Sequence, residues 1–100
     1  MENKDQQNQI QIELTDEVAQ GIYSNLAIIS HSTSEFVIDF VRIVPGVPKA
    51  KVKSRIILTP EHAKRLLLAL KDNVSKYESQ NETIKLDNKG GFFPPVGGEA

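Results

Sequence analysis

Cysteine and tryptophan are absent from this 100-residue chain, and methionine occurs once. Without cysteine there are no disulfides, no thiol nucleophile and no cysteine metal site. Such a chain can work in any compartment, and the cytoplasm needs no special assumption. An excess of either charge is missing too: 12 basic and 13 acidic residues leave a net charge of −1. That balance exerts no global pull toward nucleic acid or an anionic membrane. No apolar run approaches the roughly 20 residues needed to cross a bilayer. Residues 1–9 are polar and mixed in charge, with Met1 the one apolar residue, so they do not read as a signal peptide. The expectation is a soluble, cytoplasmic protein with no membrane partner.

Phosphate cradles are equally missing: neither G-x-x-x-x-G-K nor G-x-G-x-x-G occurs. His31 and His62 fit no zinc pattern, and the turn Ser32-Thr33-Ser34 separates His31 from Glu35. Ser24, Ser30, Ser32 and Ser34 have neither a G-x-S-x-G setting nor a partnered base. Asp39 is the one carboxylate inside an apolar strand. It could act as an acid or base, but pairing with Arg42, Arg55 or a cross-strand lysine is the expected role. The sequence therefore offers no catalytic residue, no metal ligand set and no cofactor, and the chain reads as a non-enzyme.

What is present is one domain's worth of strand and helix pattern. Residues 1–9 cannot bury enough apolar surface to offset chain entropy and are expected to be disordered. Ile10, Ile12 and Leu14 alternate with polar residues as a half-buried strand would. Thr15 can cap a short turn that Gly21 stops. Residues 22–31 and 35–44 read as strands two and three, the latter rich in β-branched and aromatic side chains. Pro45, Gly46 and Pro48 make a loop, and residues 50–58 alternate again as strand four. Thr59-Pro60-Glu61 starts a helix running to about Ser79, with Ala63, Leu66, Leu67, Leu70, Val74 and Tyr77 on one stripe. Ile84 and Leu86 add a short strand or dock. Six of the last fourteen residues are glycine or proline, which argues for a flexible tail over 87–100. Phe92-Phe93-Pro94-Pro95 is an apolar island within it. The reading is α+β: an antiparallel meander of about four strands over 10–86, with the long C-terminal helix packed on one sheet face.

Two surfaces carry the functional expectations. One helix covers only one face of a sheet, yet strands two and three are apolar on both. Tyr23, Ala27, Ile29, Val37, Val41 and Ile43 are then left as an exposed patch, which points to a homo-oligomer, first of all a dimer. The same face or a free edge can take another protein or a peptide. Lys49, Lys51, Lys53 and Arg55 form a basic stripe on strand four. It serves either to block strand pairing at an edge or, alternatively, to bind nucleic acid, although few aromatics lie beside it to stack on bases.

The stretches Glu35-Phe36-Val37-Ile38-Asp39-Phe40 and Arg55-Ile56-Ile57-Leu58-Thr59-Pro60-Glu61-His62-Ala63-Lys64 resemble an uncharacterised family of small bacterial proteins, a domain of unknown function. The likeness spans about residues 10–86. It implies no activity, cofactor or site that could be carried onto these positions.

Overall fold

A computed structural model of the chain describes residues 9–87. The expectations for residues 1–8, for 88–100 and for Phe92-Phe93-Pro94-Pro95 lie outside the described residues. A one-turn helix, α1 (Asp16–Ala19), precedes three strands, β1 (Leu26–His31), β2 (Phe36–Arg42) and β3 (Lys51–Leu58), and a long helix, α2 (Pro60–Gln80). The strands form one antiparallel sheet in the order β1-β2-β3, so the fold is α+β.

The turns follow from local chemistry. Between β1 and β2 the Ser32 hydroxyl accepts from the amides of Ser34 (3.2 Å) and Glu35 (3.3 Å), while the Ser32 amide donates to the Glu35 carbonyl. A serine that satisfies backbone donors itself is a turn-former by mechanism. Between β2 and β3, the Val47 amide donates to the Val44 carbonyl across Pro45-Gly46. Proline presets φ at the second position of this turn, and Gly46 supplies φ +85° at the third, which fits a type II turn.

The sheet has three strands, not the expected four. Residues 10–14 enter no ladder, and Ile10, Ile12 and Leu14 stand exposed. Alternation says which side chains share a face, but a strand exists only where a neighbouring edge takes its backbone groups. Ile84 and Leu86 also stay outside the sheet. The second expected strand begins only at Leu26. Ahead of it, Asn25 extends the pairing with its side chain: its Oδ1 accepts from the Ile43 amide (2.8 Å) and its Nδ2 donates to the Ile43 carbonyl (3.1 Å).

Helix α2 starts where the sequence places it. The Thr59 hydroxyl accepts from the His62 amide (3.1 Å), and Pro60 and Glu61 open the first turn. Its expected packing on a sheet face is corrected by the structure. No α2 residue is buried, and α2 meets the sheet mainly along β3, the strand it follows. Among the described residues only Ile38, Val41 and Leu58 are buried.

Candidate functional site

Register decides which side chains share a surface. Leu26 pairs with Val41, Ala27 with Phe40, Ile29 with Ile38 and His31 with Phe36. Odd-numbered residues of β1 therefore sit opposite even-numbered residues of β2. One face carries Ala27, Ile29, Phe36, Ile38 and Phe40 with Ser54, Ile56 and Leu58. The other carries Leu26, Ile28, Val37, Asp39 and Val41 with Arg55 and Ile57.

This arrangement breaks the patch expected from the sequence. Ala27 and Ile29 lie on the first face, and Val37 and Val41 on the second. Val41 is 4% exposed, covered within its own chain, and Ile43 is half-buried with its backbone held by Asn25. Tyr23 is exposed, with the Arg42 guanidinium carbon 5.9 Å from its ring centroid. A period of two fixes parity within a strand; the hairpin register fixes it between strands.

The basic stripe is divided as well. Between Phe40 and Val41 the register slips, so that Ser54 faces Phe40 and Val52 faces Val41, leaving Lys53 as the extra residue of a bulge. Arg55 stands opposite Asp39, whereas Lys51 stands opposite Arg42 on the other face. Lys49 lies in the loop before β3. The Arg55 side chain is also engaged: its Nε donates to Asp39 Oδ1 (2.7 Å) and an Nη to Oδ2 (2.8 Å), a bidentate pair. Hydrogen bonds from Arg55 hold the Asp39 carboxyl below its usual range, helped by the guanidinium charge and opposed by partial desolvation. The same pair raises Arg55. Asp39 thus has the structural partner the sequence suggested. At the strand end the His31 ring stacks on Phe36, with centroids 5.3 Å apart.

Apolar surface remains open on every layer. Ile29 and Ile56 are exposed on one sheet face, and Ile57 on the other. Beside the first face, Val18 and Ile22 from the α1 segment line an open, mainly apolar cavity of about 480 Å³ with Phe40, Ser54 and Ile56. On α2, Leu66, Leu67, Leu70, Val74 and Tyr77 are all exposed, between 37% and 59%. The opposite side of α2 carries the ion pairs Arg65–Glu61 and Lys76–Asp72. The helix is therefore two-sided in chemistry while neither side is covered. The sequence marked this stripe but assigned it to the sheet.

Among the described residues no helix is long and apolar enough to cross a membrane. No group of three or more histidine, aspartate or glutamate side chains among them is placed to hold a metal ion. No curated protein and no solved structure matches the chain. Residues 1–86 match the family described as "Protein of unknown function (DUF3467)", and over that span, nearly the whole of its length, the chain belongs to this family.

Proposed function

We propose that this chain is a non-enzymatic interaction module, which completes its apolar core by associating with further copies of itself and offers the remaining surface to protein or peptide. One observation carries this reading. Three apolar side chains are buried among the described residues, while twenty large ones are exposed; six of the twenty lie on α2, four on the sheet and ten on the connecting and flanking segments. Soluble monomers rarely leave contiguous apolar surface of more than a few hundred Å² uncovered. The pairing of Asp39 with Arg55 supports the non-enzymatic half of the reading, because the one strand carboxylate is committed to a salt bridge. The division of the lysine stripe between faces weighs against a nucleic-acid groove. A cytoplasmic setting belongs to the same reading as the one that needs no special assumption for a chain without cysteine.

Light scattering behind size-exclusion chromatography, run over a range of concentrations, tests it. The expected mass is at least two chains of 11.1 kDa. Ile57→Glu, on an exposed side chain of β3, should leave the fold intact. A monomer at every concentration would overturn self-association.

A further inference from the structure

The apolar stripe of α2 has a spacing of its own. Ala63, Leu67, Leu70, Val74 and Tyr77 follow one another at intervals of four, three, four and three. That is the alternation of a and d positions over two heptads, with Leu66 widening the stripe on one flank, a surface against which a second helix can pack in coiled-coil fashion. We infer that α2 pairs with α2 of a second copy of this chain as an antiparallel coiled coil about a two-fold axis. The inference rests on the self-association reading above and names its surface.

Three observations choose this occupant and this direction. First, α2, a helix of 21 residues and about 32 Å at the usual rise, fully buries no residue in its own chain, and beyond the half-buried Ala63 the seam residues Leu67, Leu70, Val74 and Tyr77 all stand exposed. Second, the seam is complementary to itself: run antiparallel, it sets Leu67 against the partner copy's Tyr77 position and Leu70 against its Val74 position. A two-fold interface requires this kind of self-match. Third, charge favours that direction. The residues flanking the seam on one side are Lys64, Lys71 and Glu78. Antiparallel pairing brings Lys64 of each copy to Glu78 of the other, twice per dimer. A parallel, in-register pair would set Glu78 beside Asn73 and Lys71 beside Leu66, with no opposite charges meeting. Glu78 is placed for this role, since one carboxylate oxygen accepts from the Ile84 amide (2.9 Å) and is held in position by it. Against the pairing stands Lys71, which meets its own copy near the axis.

The absence of cysteine allows a direct test. Asn73→Cys puts one thiol per copy beside the axis, on the flank of the seam. Ala63→Cys puts it at one end, where antiparallel partners hold the two thiols about 27 Å apart. Under mild oxidation the full chain carrying Asn73→Cys should form a disulfide-linked dimer, and Ala63→Cys should not. Linking at Ala63, alone or together with Asn73, overturns the antiparallel order. Leu70→Glu supplies a second readout. Leu70 is 58% exposed, so the subunit should keep its helix content by circular dichroism while its dissociation constant rises more than about tenfold. If neither cysteine links and Leu70→Glu changes nothing, yet light scattering still gives a dimer, the α2 seam is wrong and assembly uses another surface. If the unmodified chain is monomeric throughout, both this inference and the self-association reading fail.

Discussion

β2 has a neighbour on each side and holds two of the three apolar residues buried among the described residues, Ile38 and Val41, while α2 has three times as many residues and holds none. The strand cannot exist without its partners, because its amides and carbonyls are satisfied only across the ladder. The helix satisfies its own backbone and needs little from the sheet except a starting corner at Thr59. Stability in this chain is therefore concentrated in the sheet. On α2, by contrast, six large apolar side chains stand exposed. A chain with so small a core operates near the limit of independent folding, and any surface that covers α2 adds to a total that is small to begin with.

The sharpest way to break that comparison is to truncate one apolar side chain in each region. Ile38→Ala removes buried volume from the central strand and should cost about 2–4 kcal/mol, a large part of what a domain of this size has. Leu68→Ala lies off the apolar stripe of α2 at 54% exposure and should change stability by less than about 0.5 kcal/mol. Urea unfolding at one fixed chain concentration measures both, since the proposed self-association would make the midpoint depend on concentration. Equal effects would mean that α2 is packed in a way this fold does not contain.

A smaller effect tests how far the helix depends on its first turn. Thr59→Ala removes the hydroxyl that accepts from the His62 amide, at a cost of about 1 kcal/mol. Because α2 is not anchored by buried contacts, the loss should appear as fraying at its start, seen as faster amide exchange over residues 62–64. The sheet should stay as protected as before. A uniform loss of protection would show instead that helix and sheet unfold as one unit.

The parts of this fold legible in the sequence are those whose causes are local. Thr59-Pro60-Glu61 announces the helix start because cap, ring and dipole act within four residues. Ser32 and Gly46 announce their turns because side-chain bonding and a positive φ are properties of single positions. What could not be read depends on relations between distant segments. Ile10, Ile12 and Leu14 carry a strand pattern, but whether an edge is free to receive them is not written in their alternation. The expected patch mixed two faces because nothing in either strand states that Ile29 will meet Ile38 and not Val37. The lysine stripe failed at Lys53, where one extra residue reverses parity for everything before it. Asp39 was a partial success: a charge in an apolar strand demands a partner, and Arg55 was among those named, but only register selected it. The apolar stripe of α2 was legible from its helical spacing, yet assigning it to a sheet face required packing that goes beyond the contact α2 makes along β3.

The Asp39–Arg55 pair tests the sheet side of the comparison at its weakest contact. Asp39 is 14% exposed at its side chain and Arg55 62%, so solvent screens the pair from one side. The carboxyl is held below its ordinary value, mainly by hydrogen bonds from the guanidinium. A group whose pKa is lower folded than unfolded contributes stability above its unfolded pKa, here about 4. That contribution fades as pH falls through the lower, folded value, because protonation then costs the native state its ion pair. Asp39→Asn should therefore be less stable than the parent at pH 7, and the gap should narrow steadily below about pH 4. Other carboxylates titrate in the same range, so the informative quantity is the difference between the two proteins in urea at each pH. A gap that stays constant down to strong acid would mean that the substituted amide is penalised for its shape or hydrogen bonding, and that the ion pair contributes nothing measurable to the sheet.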